Sequence, residues 1–349
     1  MKKLHILCLI ILVAYGCKDI AKETSTTNAK GATDYLSFQN RDDQFTGGIK
    51  MIPITTDKDT FKVWTKTVGN NPTKKVLLLH GGPGMTHEIY ECADGYFPQE
   101  SIEYIYYDQL GSYYSDKPDD LSLWNTARFV EEVEQVRKAL DLDHTNFYLL
   151  GQSWGGILAM EYALKYQKNL KGLIISNMMS SIPEYNTYAQ EVLGPQLDPI
   201  VYEEIKLLEA NNDFANPRYS ELLFEHYYTQ HVLRMPVAEW PESILRTFNH
   251  ANNQVYVHMQ GYSEFGITGD AILKDWDIKN RLKEIKVPTL VIGAKYDTMN
   301  PEHMEWMSKE VQNGTYLFCP NGSHLSQYDD QKNYFSGIIS FINTTNAKQ

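Results

Sequence analysis

Ser153 stands in the segment Gly151-Gln152-Ser153-Trp154-Gly155. A short apolar run, Phe147 to Leu150, precedes it, and helical spacing follows from Ile157 to Tyr166. A serine in a tight strand-to-helix turn is held in a strained backbone conformation that lifts its hydroxyl clear of the sheet. Glycines on either side relieve the crowding because they carry no Cβ. The helix that starts just beyond favours negative charge at its N-terminus. Such a serine can attack a carbonyl and hold an acyl group, provided a base takes its proton. In the chain order serine, acid, histidine, Asp297 and His324 supply the rest. Asp297 follows the run Thr289 to Gly293, and His324 follows the run Thr315 to Phe318. His324 would take the proton, and Asp297 would orient the imidazole and stabilise its cation. The developing oxyanion needs fixed donors. His80-Gly81-Gly82-Pro83-Gly84 follows the run Lys75 to Leu79, so the N–H groups of Gly82 and Trp154 are expected to be those donors.

These residues need a scaffold. Runs at 49–55 and 60–66 read as paired strands, and Ile102 to Tyr107 as another. Residues 122–140 carry an apolar helical stripe, Leu123, Ala127, Val130, Val133, Val136 and Leu140. Leu173 to Ser176 is a further strand. The alternation predicts a mostly parallel sheet flanked by helices. It stops near residue 178 and resumes at about 285, with helices expected at 301–311 and 330–343. The core is therefore expected at 41–177 and 285–345, with 178–284 as a helical cap over the carboxyl edge, where open α/β sheets bind ligands. His303 falls in a helix, and His226, His231, His250 and His258 fall in the cap. Asp275 and Asp277 precede the resuming sheet. The histidines are read as structural, and the two aspartates as cap-edge residues.

The N-terminus is a targeting pattern. Lys2 and Lys3 precede an apolar run from Leu4 to Val13, too short to span a bilayer. Val13-Ala14-Tyr15-Gly16-Cys17 resembles a lipoprotein lipobox, which implies a signal peptide over 1–17, lipid on Cys17 and export to a bacterial cell envelope. The alternative is an ordinary secretory signal. Polar residues 18–40 read as a flexible tether. Cys92 and Cys319 then remain, and are read as buried small hydrophobes whose pairing the sequence leaves open. A net charge of −12 argues against a nucleic-acid footprint. No metal motif and no phosphate loop occurs, so neither a metal nor a cofactor is expected. The oligomeric state stays open. The 24 tyrosines are read mainly as core, with some available as hydroxyl handles on a ligand wall.

The glycine loop, the serine turn with Gly156, and Tyr107-Asp108-Gln109-Leu110-Gly111 resemble the proline iminopeptidases and the tricorn-interacting aminopeptidase, over about residues 45–343. Asn216-Pro217 with Tyr219, and Glu264-Phe265 with Ile267-Thr268-Gly269, extend the resemblance into the cap. It implies an α/β-hydrolase fold and release of an N-terminal residue, often proline, from peptides with a free N-terminus. In that family cap glutamates bind the substrate amine. The resemblance assigns this role to Glu264 and, second, to Glu221, with Glu225 as its rival. One stretch departs. Relatives carry Asp-Gln-Arg-Gly-x-Gly-x-Ser where this chain has Asp108-Gln109-Leu110-Gly111-Ser112-Tyr113-Tyr114-Ser115, and the change is expected to reshape the pocket wall. Two other readings remain at this point. One is an esterase, lipase or amidase on the same scaffold, and the other is a non-catalytic peptide-binding lipoprotein.

Overall fold

A computed structural model describes residues 34–39 and 41–348. The expected signal peptide and Cys17 lie outside the described residues. Eight strands form one sheet in the order β1-β2-β4-β3-β5-β6-β7-β8. β1 (Ile49–Thr55) and β2 (Thr60–Val68) pair antiparallel, and β2 pairs antiparallel with β4 (Glu103–Asp108). β3 (Lys75–Leu79), β4, β5 (Phe147–Gln152), β6 (Gly172–Ser176), β7 (Thr289–Ala294) and β8 (Gly314–Cys319) run parallel.

The parallel strands are near-continuous apolar runs because both faces of the sheet are covered. On β5, Phe147 and Leu149 join one core with Phe129, Trp154 and Tyr162, while Tyr148 and Leu150 join a second with Tyr334, Phe335 and Ile338. Each side chain of this size contributes roughly 1.5–3 kcal/mol when fully buried. β1, at the sheet edge, alternates exposed and buried positions instead. α1 (Thr126–Ala139) starts later than its stripe predicts. Asn125 caps it by accepting from the Arg128 N–H, and Leu123 falls in a separate 3-10 turn capped by Asp120. α2 (Trp154–Tyr166) starts directly after Ser153, three residues earlier than the spacing suggested.

Two expectations change. The tether does not run to residue 40. Tyr35 donates from its hydroxyl to the Ile102 carbonyl at 3.1 Å, and Asn70 donates to the Ser37 carbonyl at 2.8 Å, so residues 34–39 are already tied to the core. Cys319 is buried as expected, Cys92 is half-buried, and both are free thiols. Between β6 and β7 the chain forms helices at Ile182–Tyr188, Pro199–Ala210, Pro217–Leu222, Glu242–His250 and Asn253–Gln260; the first and the last two line a cavity with Ser153 at the carboxyl edge of the sheet, and the second and third pack in a cap cluster of their own.

Candidate active site

Every core candidate sits just beyond the carboxyl end of a parallel strand. The glycine loop follows β3, Ser153 follows β5, Asn177 follows β6, Asp297 follows β7 and His324 follows β8. Ser153 has φ 56° and ψ −125°, a left-handed backbone that costs a serine on the order of 1–3 kcal/mol. The turn is tight enough to demand its glycines. A Cβ on Gly155 would lie 2.1 Å from the Leu79 carbonyl oxygen, and one on Gly151 would lie 1.9 Å from that of Gly155. The Ser153 N–H is held by the Ser176 carbonyl at 3.0 Å.

His324 Nδ1 meets Asp297 Oδ1 at 2.8 Å and Thr298 Oγ1 at 3.0 Å. Asp297 is fully buried. Its Oδ1 also accepts from the Met299 N–H at 3.1 Å, and its Oδ2 accepts from Asn177 Nδ2 at 2.7 Å. With a longer bond from the Thr298 hydroxyl at 3.4 Å, four donors around one carboxylate fix its plane. With Nδ1 engaged, Nε2 is the nitrogen left for a proton exchange. The histidine loop is itself pinned to the cap. The N–H groups of His324 and Leu325 donate to the carbonyls of His231 and Val232 at 3.0 and 2.9 Å. Asp329 accepts from both the hydroxyl and the N–H of Ser323.

The glycine loop is held by a neutral histidine. Burial pushes His80 down to about 4. Its ring therefore donates from Nδ1 to the Gly81 carbonyl at 2.9 Å and accepts at Nε2 from the Gln109 N–H at 3.2 Å. Gln109 in turn accepts from the Trp154 indole at 2.9 Å, so the loop and the head of α2 share one brace. Gly82 has φ 108°, open to glycine without penalty, and lines the same cavity as Ser153 and Trp154. Trp154 is the first residue of α2, so its N–H has no partner within the helix.

That cavity encloses about 220 Å³. Ser153 and His324 lie on its core side, and Glu264 lies on its cap side. Met85, Ile89, Ile244 and Phe248 supply apolar wall. Glu264 Oε1 accepts from the hydroxyls of Tyr228 and Tyr256 at 2.9 and 3.0 Å. Burial raises the Glu264 pKa above its ordinary value, against the lowering effect of those two bonds, and nearby Glu209 raises it further.

Glu221 is not brought to the cavity. It is 58% exposed and pairs with Arg218 at 3.5 Å. Tyr219 and Leu222 turn the other face of the helix Pro217–Leu222 into the cap core, and Glu221, three residues from Arg218, faces water. Glu225 is 65% exposed beside His226. The carboxylate that neighbours Glu264 is Glu209, bound by the Tyr219 and Ser263 hydroxyls at 2.7 and 2.8 Å.

The departing segment does not form cavity wall either. Tyr113 instead stacks on His250 of the cap, with ring centroids 3.9 Å apart and planes 9° apart. Beside it, Glu88, 1% exposed, binds Arg246 and accepts from His250 Nδ1 at 2.8 Å. Arg246 also reaches Glu91 at 2.5 Å. The other side of the helix Glu242–His250 gives Ile244, Thr247 and Phe248 to the cavity. Of the rival histidines, His303 bonds Ser180 Oγ at 2.9 Å, and burial lowers it to about 4.

Residues 74–331 match the alpha/beta hydrolase fold family. The chain is 61% identical over 298 residues to a proline iminopeptidase of Elizabethkingia meningoseptica, an alignment covering 85% of this chain and 99% of the relative. It is 60% identical over 299 residues to one of Flavobacterium johnsoniae, covering 86% and 99%. Among solved structures, the proline iminopeptidase of Mycobacterium smegmatis superposes with a TM-score of 0.76 at 25% identity, over 86% of this chain and 99% of that one.

Proposed function

Because the chain belongs to the alpha/beta hydrolase fold family and, within it, to the proline iminopeptidases, we propose that it releases N-terminal proline from peptides through an acyl-enzyme on Ser153. The observation that carries the mechanism is the shared cavity. Ser153, the Asp297-bound His324 and a carboxylate, Glu264, all line it.

In this reading the substrate ammonium docks on Glu264 by a charge-assisted hydrogen bond. The scissile carbonyl points at the N–H groups of Gly82 and Trp154. Ser153 Oγ attacks as its proton passes to His324 Nε2, and Asp297 stabilises the resulting imidazolium. The two N–H donors hold the oxyanion of the tetrahedral adduct. Collapse breaks the peptide bond, and Nε2 returns the proton to the leaving amine. Water then repeats the sequence on the acyl-serine and frees proline. An N-blocked peptide offers an uncharged amide to Glu264, so free N-termini are preferred and N-blocked substrates turn over more slowly.

Ser153→Ala tests the reading. Hydrolysis of a prolyl-chromophore amide should vanish while the thermal melt stays unchanged, and retained turnover would refute it. We also propose that Cys17 carries a lipid anchor, on the strength of the lipobox-like residues. Cys17→Ser should then abolish lipid labelling and membrane retention, and unchanged retention would remove the anchor from the account.

A further inference from the structure

The Glu264 carboxylate is held unevenly. Both tyrosine hydroxyls, Tyr228 at 2.9 Å and Tyr256 at 3.0 Å, donate to the same oxygen, Oε1. Among the described residues Oε2 accepts no hydrogen bond, and it is not among the fully buried atoms. The donors are themselves oriented. Gln260 donates to the Tyr256 hydroxyl at 3.1 Å, which leaves that hydroxyl's proton for Glu264. The Tyr228 ring is packed edge-on against Phe224 at 4.8 Å, which fixes its direction. Both tyrosines are half-buried, and desolvation with the nearby Glu264 charge raises both phenols well above their ordinary pKa, so they remain donors.

We propose that Tyr228 and Tyr256 are positioning residues for substrate binding: they saturate one oxygen of Glu264 and so present the other, Oε2, to the substrate ammonium. The inference rests on the reading of Glu264 as the amine site. Two donors on one oxygen fix the carboxylate plane, and a single free oxygen gives the amine one docking point and one distance from Ser153. The clamp also keeps the carboxylate ionised, because hydrogen bonds to the charged form favour it. The other charged or titratable groups around Glu264 are His324 from the core, Glu209, Tyr219 and Tyr227 from the cap, and Tyr185, whose hydroxyl donates to the Glu264 carbonyl at 2.8 Å. None of these bonds Oε2.

The test is a set of variants read on two substrates, a prolyl-chromophore amide with a free amine and an N-acetylprolyl ester. Tyr228→Phe and Tyr256→Phe each remove one donor and little volume. Each should lower kcat/KM on the free-amine substrate about tenfold, chiefly through KM, and leave the N-acetyl ester near wild type. Each should also move the acid limb of the free-amine pH profile to higher pH, which a merely structural role would not do. Equal losses on both substrates, or an unmoved acid limb, would overturn the clamp. Glu264→Gln separates this from the underlying reading. If it spares the free-amine preference, the amine site itself is wrong. If it abolishes that preference while both phenylalanine variants keep it with normal KM, only the clamp is wrong. Should one phenylalanine variant fail to fold by thermal melt, the other decides, since both hydroxyls act on the same oxygen.

Discussion

Asp297→Asn should cost roughly 10⁴ in kcat, the loss seen when the same change in a serine–histidine–aspartate triad leaves the imidazole in the wrong tautomer. That is about 5.4 kcal/mol of transition-state stabilisation. The surroundings of Asp297 say which way the new amide would sit. Its Oδ2 faces Asn177 Nδ2 at 2.7 Å, and its Oδ1 faces His324 Nδ1 at 2.8 Å and the Met299 N–H at 3.1 Å. Placing the amide NH₂ toward Asn177 would set donor against donor unless Asn177 flipped. A flip would break its bonds to Ser323 O at 3.1 Å, Ser326 Oγ at 3.2 Å and Ser176 Oγ at 2.7 Å. The opposite placement loses the Met299 bond and the long bond from the Thr298 hydroxyl at 3.4 Å, which can rotate to accept instead; each buried group left unmet costs roughly 1–3 kcal/mol. The NH₂ therefore turns to His324, Nδ1 becomes an acceptor, and the proton sits on Nε2, where the base should be empty. Steady-state kcat on a prolyl-chromophore amide measures the loss. Adding Asn177→Asp should recover part of it, because an acceptor at position 177 draws the NH₂ of the introduced amide away from the histidine. A loss under about 100-fold in a folded variant would refute the reasoning and leave the Thr298 hydroxyl, 3.0 Å from Nδ1, as the group that orients His324.

Other outcomes follow from the same geometry. Arg246→Met removes the cation that ties cap to core through Glu88 and Glu91. Breaking a buried pair costs about 3–5 kcal/mol, reduced here to about 2 because Arg246 is 32% exposed. Urea unfolding should show that loss, and KM should rise severalfold because the same helix lines the cavity. Gly155→Ala places a Cβ 2.1 Å from the Leu79 carbonyl, where only backbone could yield. Overpacking of this kind should cost about 3 kcal/mol or more in urea unfolding and most of the activity. The raised pKa of Glu264 predicts that the ratio of kcat/KM on a free-amine substrate to that on an N-blocked ester falls on the acid side, beginning above the ordinary carboxylate range. Only the ionised carboxylate attracts an ammonium. Between the unfolded and the raised folded pKa the native state binds the extra proton, so the contribution of Glu264 to stability grows as pH falls through that window. A ratio flat with pH would contradict this.

The chain declares its sheet more openly than its cap, and the reason is the range of the contacts. Phe147 to Gln152 and Thr289 to Ala294 are buried on both faces, so their character shows in consecutive residues. The residue after each such strand lies at the carboxyl edge by construction, which is how Ser153, Asp297 and His324 come to be neighbours. Asn177 obeys the same rule after β6 and could have been found by it. In the cap, function depends on which side of a short helix faces inward. Glu221 and Tyr219 are two residues apart, yet one pairs with Arg218 in water and the other bonds the inward carboxylate Glu209. Tyr228 and Tyr256 meet on Glu264 from 36 and 8 residues away, and no local spacing announces that convergence.

The division of labour between sheet and cap makes the seam between them part of the specificity. In the proposed mechanism Ser153, His324, Gly82 and Trp154 act from the core, and Glu264 acts from the cap; all five line one cavity. The interval from substrate amine to scissile carbonyl then spans core and cap, and the seam must hold it. Two sets of contacts among those that do so bear on the site. The backbone of the histidine loop bonds the His231–Val232 segment, which ties the base to the cap directly. Elsewhere on the seam, Arg246 and His250 close on Glu88, and Tyr113 stacks on His250. Tyr113 belongs to the stretch that departs from the family pattern. A change there acts on the cap's seating and not on the cavity wall, so it bears on how firmly the interval is held. Proline preference should accordingly respond to seam variants such as Tyr113→Ala as a change in KM across all prolyl substrates. A switch in the preferred first residue would require the wall itself, Ile89, Ile244 or Phe248, to be rebuilt.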